Sequence, residues 1–300
     1  MNKDFLIERN LFITILMNVI ITVTEIIGGV ISGSLSLISD SFHNLSDTMA
    51  GVLSLFAVKL SHKSSNEKFT FGYRRAEILV AIGNSMFLLI ITIFIFREAI
   101  LKLANPSLIR VSIMLPVALI GLIANFISTF LLHRYREDTL NIKSAYLHLL
   151  TDTLSSVVVV VGALLMLYFK IYWIDSILSM GISIFIAYES IKVLWETTGI
   201  LMECKPSWVD LEELKKDIES LPEVKNIHHV HVWRLSDKST IFEGHINVED
   251  IPVSKTKELR TNIERILEDK YRINHTTIQF EYEEHKEQGL IKEGNRSKQK

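Results

Sequence analysis

This 300-residue sequence has one cysteine, a net charge close to zero and no common nucleotide-binding motif. The single cysteine, Cys204, excludes an intramolecular disulfide framework and a zinc site built from several cysteines. A net charge of −2 is too small to indicate nucleic acid as a partner. The sequence contains no P-loop, no GxGxxG after a strand, no GxSxG and no HExxH. Nothing in the chain therefore indicates ATP-driven pumping.

Long apolar runs dominate the sequence from Leu11 to about Thr198, whereas the sequence from Pro206 onward is typical of a soluble domain. Six segments approach the ~20 residues that a helix needs to cross a bilayer. They are 11–31, 35–60, 77–100, 111–132, 145–168 and 174–199. Because only short loops separate these segments, we predict a six-helix transmembrane bundle over residues 1–203, that is, an α-helical membrane protein.

The loop lysines and arginines predict how this bundle lies in the membrane. They concentrate on the side of the two termini, and the opposite loops hold only Lys102, Arg110 and Lys170. The positive-inside rule therefore places both termini and the soluble domain in the cytoplasm. The first span is long for a signal peptide and lacks an A-x-A cleavage site, so we expect it to be retained. We expect a multi-pass integral membrane protein in contact with lipid, located in the cell membrane.

Nearly the same six residues occur twice within these spans, as HNLSDT at 43–48 and HLLTDT at 148–153. In each copy a histidine precedes an aspartate by four residues, which places the two side chains one above the other on a helix. An ionisable group in mid-bilayer costs about 2.5–3.5 kcal/mol. A polar contact between membrane helices returns only ~0.6 kcal/mol. We therefore predict that the four residues form a binding site: His43, Asp47, His148 and Asp152.

Two imidazole nitrogens and two carboxylate oxygens suit a tetrahedral divalent ion, above all Zn²⁺, and the two carboxylates neutralise its charge. A catalytic zinc normally keeps three protein ligands and an open position for water, so four protein ligands favour a carrier over an enzyme. Such a carrier has its site near the midplane and opens alternately to either side. Because the ligands must lose protons to bind metal, protons are the expected counter-ion.

At these residues, and over almost its whole length, the chain resembles the cation diffusion facilitator family of metal/proton antiporters. The resemblance rests on the six helices, the HxxxD pairs, GSLSLISDSFHNLSD, KFTFGYRRAE, HVHVW and HTTIQFE. It implies export of zinc or a similar ion from the cytoplasm, driven by proton entry, by a homodimer. The family's central site maps onto the four residues above, and their His-Asp/His-Asp composition resembles the zinc-preferring branch.

Two further acids stand inside the apolar segments. Glu25 follows Asn18 and Thr22 on one stripe of the first span, and it is a candidate for lining the proton or ion path. Asp40 precedes His43 by about one helical turn, and we expect it to attract cations at the far-side mouth of the bundle.

Residues 204–283 predict a cytoplasmic αββαβ domain of the ferredoxin-like type, with two helices on one face of a small sheet. We expect helices at 207–221 and 254–270, and strands at 226–235, 239–249 and 274–283. The last segment, 284–300, is rich in charged and polar residues and is predicted to be a disordered tail.

The resemblance also points to a second metal site, because positions matching His228, His245 and Glu281 bind regulatory metal in some members. Strand alternation places His245 and Glu281 on the polar face of the sheet. The same alternation places His228 on the face of Val230 and Val232, so this set requires an irregular start to the first strand. The neighbouring His229, His231 and His275 are interpreted as structural or exposed.

The interpretation we adopt is proton-coupled export of Zn²⁺, with Cd²⁺ and Co²⁺ as further candidates, by a homodimer whose cytoplasmic domain also senses metal. An intramembrane hydrolase would require an open coordination position and a general base beside it. A membrane sensor or scaffold would bind metal in the soluble domain and would not need the HxxxD residues. A passive channel is disfavoured because tight binding by four ligands slows conduction.

Overall fold

The computed structural model describes residues 3–61, 65–133, 140–236, 239–282 and 290. Within these ranges the side chains of 3–12, 50, 51, 53–59, 61, 140–142 and 144 are not described. The tail predicted at 284–300 lies outside the described residues, apart from Leu290.

Six long helices form the N-terminal two thirds of the chain. They are α1 (Lys3–Ser32), α2 (Leu35–Ser61), α3 (Ala76–Ala104), α4 (Val111–His133), α5 (Leu140–Phe169) and α6 (Trp173–Leu201). Each predicted span falls within one of these helices. Within the described residues, five of them, α1 and α3 to α6, are long and apolar enough to cross a membrane. In α2 the residues Asp40, His43, Asn44 and Asp47 interrupt the apolar sequence.

The helical bundle is apolar outside and partly polar inside, which is the reverse of a soluble protein. Large apolar side chains such as Phe94, Phe130 and Ile184 are exposed on its helices. Asn18, Glu25 and many serines are instead buried between the helices. This arrangement fits helices surrounded by lipid, whose interior satisfies its own polar groups.

The beginning of α2 is fixed by an aspartate of another helix. Asp175, in the first turn of α6, accepts hydrogen bonds from Ser34 Oγ at 2.6 Å and from the backbone N–H of Leu35 at 2.7 Å. It therefore caps the first turn of α2, where backbone N–H groups lack partners within the helix. The tight turn before α2 uses Gly33, whose φ of +80° favours glycine.

The C-terminal domain has the predicted αββαβ order. It consists of α7 (Leu211–Glu219), β1 (Val224–Ser236), β2 (Ser239–Val248), α8 (Val253–Tyr271) and β3 (His275–Glu281). The sheet order is β1-β2-β3, with β1 and β2 antiparallel and β2 and β3 parallel. Leu214 and Ile218 of α7 and Ile263 and Leu267 of α8 share one apolar core with Phe242 of β2.

The chain divides into two compact units. One unit comprises Met1–Lys59 and Val80–Trp195, and the other comprises Leu60–Leu79 and Glu196–Lys300. The segment that leads into α3 therefore belongs to the same unit as the C-terminal domain.

Candidate functional site

The structure brings the two HxxxD pairs together between α2 and α5. Within each helix, the histidine Nε2 lies 3.7 Å from the aspartate Oδ2 for His43 and Asp47, and 3.8 Å for His148 and Asp152. Between the helices, His43 Nε2 lies 3.2 Å from Asp152 Oδ1, and His148 Nε2 lies 3.2 Å from Asp47 Oδ2. Each imidazole therefore faces both carboxylates.

Three of the four side chains lie close to the separation that a metal requires. Ligand atoms of His43, Asp47 and Asp152 all lie within 4.8 Å of one another. Ligand atoms around a tetrahedral zinc are separated by roughly 3.4 Å, so a small contraction would suffice. His148 lies outside this group of three, although its ring centroid is 6.0 Å from that of His43.

The cluster is closed on one side and open on the other. The side chain of Asp152 is 1% exposed, whereas that of His148 is 47% exposed. The buried Oδ2 atoms of Asp47 and Asp152 make no well-aligned hydrogen bond among the described residues, although His148 Nε2 lies 3.2 Å from Asp47 Oδ2. Because buried carboxylate oxygens without well-aligned donors are unfavourable, these atoms are suited to binding a cation. Phe185 of α6 packs edge-on against the His43 ring at 5.9 Å and restricts its orientation.

Asp40 lies deeper than we predicted. It is 3% exposed, and it accepts a hydrogen bond from Ser155 Oγ of α5 at 2.8 Å. The prediction that it lies at an open mouth of the bundle is therefore wrong. In the structure Asp40 instead joins α2 to α5 near the HxxxD pairs.

The C-terminal domain holds a second cluster, which contains the three residues named from the sequence. His228 Nε2 lies 3.0 Å from Glu281 Oε2, and His245 Nδ1 lies 2.6 Å from Glu281 Oε1. These residues come from three adjacent strands, since His228 is paired with His245 and β3 runs beside β2. Ligand atoms of His228, His229 and His245 also lie within 4.8 Å of one another.

A β-bulge in β1 brings this second cluster together. The pairing of β1 with β2 shifts register between His228 and His231, and His229 has a left-handed φ of 49°. The bulge breaks simple alternation, so His228 and Val230 need not point to the same face. It also brings His229 into the cluster, contrary to our expectation that His229 is merely structural or exposed.

The donors of the second cluster fit a bound metal ion. His228 Nδ1 lies 3.1 Å from Asn226 Oδ1. In the tautomer that donates from Nδ1 to this amide oxygen, the lone pair of Nε2 faces the Glu281 carboxylate. Both His228 Nε2 and Glu281 Oε2 are buried without a hydrogen-bond partner in the described part of the chain. A cation between them would satisfy both atoms.

Comparison with known proteins gives matches over most of the chain. Residues 11–202 match the family model of the cation efflux transmembrane domain, and residues 206–283 match that of the cation efflux protein cytoplasmic domain. The metal cation efflux system protein CzcD of Cupriavidus metallidurans is 36% identical over 274 residues, which are 91% of this chain and 86% of that protein. The zinc transporter ZitB of Escherichia coli is 37% identical over 261 residues, or 86% of this chain and 82% of that protein.

Two further similarities concern a third relative and a solved domain. The cadmium, cobalt and zinc/H(+)-K(+) antiporter of Bacillus subtilis is 34% identical over 287 residues, or 95% of this chain and 92% of that protein. The solved metal-bound C-terminal domain of the CzcD transporter is 37% identical, with 24% of this chain and 99% of that domain covered and a TM-score of 0.22.

Proposed function

The chain belongs to the cation diffusion facilitator family, and from that premise we propose that it exports Zn²⁺ from the cytoplasm in exchange for protons. Membership makes it an integral membrane transporter for metal cation efflux and not an enzyme. Cd²⁺ and Co²⁺ are further proposed substrates, since one relative is named for cadmium, cobalt and zinc.

The observation that carries the proposal is the meeting of two imidazoles and two carboxylates between α2 and α5, at distances of 3.2–3.8 Å. Nitrogen and oxygen ligands in this ratio suit Zn²⁺ and other borderline divalent ions better than Mg²⁺ or Ca²⁺, which prefer oxygen alone. The two carboxylates also match the charge of the ion, which lowers the cost of holding it among apolar helices.

The same groups are the proposed proton acceptors. A histidine titrates near neutral pH, and metal binds only its deprotonated nitrogen. Protons arriving from the far side would therefore displace the ion there, and the ion would displace protons on the cytoplasmic side. The open position of His148 and the closed position of Asp152 are compatible with access from one side at a time. A relative named as an H(+)-K(+) antiporter supports exchange against a monovalent cation.

The proposed orientation places both termini and the C-terminal domain in the cytoplasm, and the protein in the cell membrane. It is supported by the excess of lysine and arginine in the loops on the side of the termini. A match to a cytoplasmic-domain family model over residues 206–283 also supports it. The proposed boundary between the membrane domain and the cytoplasmic domain lies near residue 203.

The strand cluster is proposed as a regulatory metal site. His228, His245 and Glu281 would hold the ion, and His229 would be an additional ligand. A metal bound there would fix the relative positions of all three strands. We propose that this domain joins two copies of the chain into a homodimer, and that metal binding stabilises the assembled form.

Transport into liposomes tests the proposal. The purified full-length protein is reconstituted with a zinc-sensitive dye inside the vesicles and a pH gradient across the membrane. We expect gradient-dependent Zn²⁺ uptake by the wild type and its loss in both Asp47→Ala and Asp152→Ala. Asp250→Ala is the matched control, because it removes an exposed aspartate that lies outside both clusters.

Each other outcome has a definite meaning. Unchanged flux in both aspartate variants would place the ion path elsewhere in the bundle. Zinc binding by folded wild-type protein without any flux would favour the sensor or scaffold. Flux that is independent of the pH gradient but requires both aspartates would support the metal site and refute proton exchange.

A further inference from the structure

Glu25 is a buried acid of the bundle that lies outside the HxxxD pairs. It is 2% exposed, in the second half of α1, a helix apolar enough to span a membrane. Its Oε2 accepts a hydrogen bond from Asn44 Nδ2 of α2 at 2.9 Å. Asn44 is the residue after His43, so the acid is connected to the helix that carries half of the metal site.

The backbone of α4 leaves room for this carboxyl group. A Cβ atom on Gly121 would collide with Glu25 Oε1. Because this oxygen ends a flexible side chain, a larger residue at this position would shift the carboxyl group relative to Asn44. The site of Glu25 is therefore formed by α1, α2 and α4 together, with glycine where the carboxyl oxygen approaches α4.

No cationic partner neutralises Glu25 in the described ranges. No lysine, arginine or histidine makes an ion pair with it there, and the titratable groups that act on it are Asp40 and His43, both on α2. A lone carboxylate among membrane helices is costly, while a protonated carboxyl group is not. A plain interhelical hydrogen bond does not require an acid, because glutamine would supply it without that cost.

Asn44 can serve both protonation states of Glu25. In the structure its Nδ2 donates to the carboxylate, and its Oδ1 is buried without a hydrogen-bond donor among the described residues. If the amide turns over, Oδ1 can accept the proton of a neutral Glu25. Asn44 is 1% exposed, so neither arrangement depends on bulk water.

We infer that Glu25 and Asn44 form a proton-binding site separate from the four metal-ligating residues, and that this site carries one of the protons exchanged for metal. The inference rests on the proposed function, because it adds a proton site to the same transport cycle. When metal occupies the HxxxD residues, α2 holds Asn44 so that Nδ2 faces an ionised Glu25. When metal leaves and α2 moves, Glu25 takes up a proton.

Counting protons released on zinc binding tests this site. Zinc is added to purified full-length protein in weakly buffered detergent solution containing a pH indicator. We expect Glu25→Gln to release about one proton fewer per bound zinc than the wild type, since one titrating group is removed. Asn125→Ala is the control: it removes a buried amide that bonds Ser156 at 2.9 Å but no titratable group, and it should keep the wild-type count.

Two more variants keep the test decisive if Glu25→Gln does not fold. Glu25→Asp retains an acid and should restore part of the missing proton. Gly121→Ala leaves every titratable group in place but pushes on the carboxyl group, so it should shift the pH at which the proton is released. A wild-type count in folded, zinc-binding Glu25→Gln would overturn the inference, as would a wild-type pH profile in Gly121→Ala.

Failure of the inference differs from failure of the proposed function. Wild-type proton release in Glu25→Gln, with flux abolished in Asp47→Ala and Asp152→Ala, would remove only the separate proton site. Unchanged flux in the two aspartate variants would remove the metal site itself.

Discussion

The cluster between α2 and α5 and the cluster on the C-terminal strands both combine imidazoles with carboxylates, from aspartate in the first and from glutamate in the second, but the backbone brings them together differently. In the helices, spacing by four residues places histidine and aspartate side by side before any tertiary contact forms. In the sheet, His228 and His245 meet across antiparallel strands, and Glu281 joins through a parallel pairing. Each half of the helical site is thus formed within one short segment, whereas the strand site forms only when the strands pair in the correct register.

The two clusters also differ in how closed they are. In the strand cluster His228 is 1%, Glu281 6% and His245 23% exposed. In the helical cluster Asp152 is 1%, His43 13%, Asp47 22% and His148 47% exposed. The main difference is therefore the most exposed ligand of each cluster. An ion at the proposed transport site has to enter and leave, so an exposed ligand is useful there, whereas an ion at the proposed regulatory site needs only to bind.

The largest effect should be the loss of zinc affinity when a histidine of the helical cluster is removed, either the partly buried His43 or the exposed His148. Removing even an outer-shell partner of a metal ligand typically costs about 10- to 100-fold in affinity, so we expect His43→Ala to weaken zinc binding by about 100-fold or more and His148→Ala by about 10-fold. His43 lies between both carboxylates in a partly buried position, while His148 can be replaced in part by water. Competition with a chromophoric chelator measures both affinities in the full-length protein.

His133→Ala is the control for this pair, since His133 lies at the end of α4 and outside both clusters. Equal losses in His43→Ala and His148→Ala would show that the ion draws His148 fully into the site. A larger loss in His148→Ala would contradict the assignment of the open side.

A charge-removing substitution in the strand cluster should weaken zinc binding there without affecting zinc uptake through the helical cluster. Glu281→Gln keeps the shape of the side chain but removes the negative charge that contacts His228 and His245. We expect the affinity of this site for zinc to fall by about 10-fold or more, while zinc uptake at saturating metal persists. Titration calorimetry of the full-length protein should then show one strong class of zinc site instead of two.

The matched control is His231→Ala, which removes an exposed histidine of the same strand that lies opposite Glu243. Two strong classes of zinc site in Glu281→Gln would show that the carboxylate is not a ligand. Loss of transport in Glu281→Gln would instead show that the C-terminal domain is required for turnover.

The same contrast explains what could be predicted from the sequence. The six helices and the proximity of histidine and aspartate within HNLSDT and within HLLTDT follow from apolar length and helical spacing, which are local properties. The meeting of the two segments follows from the cost of leaving their ionisable side chains in lipid. The αββαβ order follows from alternation and turn residues in the same way. Alternation misplaced His228 because a bulge adds a residue to one strand only. The prediction for Asp40 was wrong because its burial depends on contact with Ser155, which lies far away in the sequence.

The bulge itself can be tested by substituting glycine for His229. The left-handed φ of 49° costs a histidine on the order of 1 kcal/mol, a cost that glycine avoids. We therefore expect His229→Gly to raise the melting temperature of the metal-free protein slightly. If His229 is also a ligand, the same variant should bind zinc more weakly in the C-terminal domain. Unfolding followed with and without zinc distinguishes these two effects, and weaker stability in both conditions would show that the ring packs without binding metal.

The smallest effect should come from an exposed contact between α7 and α8, where no metal is involved. Lys270 Nζ and Tyr271 OH each donate to Asp217 Oδ2 at 2.6 Å. The hydrogen bond from Lys270, followed by that from Tyr271, lowers the pKa of Asp217 below its ordinary value. Because the folded-state pKa is the lower one, the stabilisation is complete above the unfolded value of ~3.9 and is lost as the pH falls through the folded-state pKa.

We therefore expect Asp217→Asn to lower the melting temperature by about 2 °C or less at pH 7, since solvent screens an exposed ion pair. The difference from the wild type should stay constant down to about pH 5 and shrink at more acidic pH, as the wild-type carboxylate becomes protonated. Added salt should reduce it as well. Thermal unfolding across this pH range measures it, with Asp250→Asn as an exposed control. A difference that grows on acidification would contradict the direction of the pKa change, because Asp217 would then stabilise the folded protein more in its protonated form.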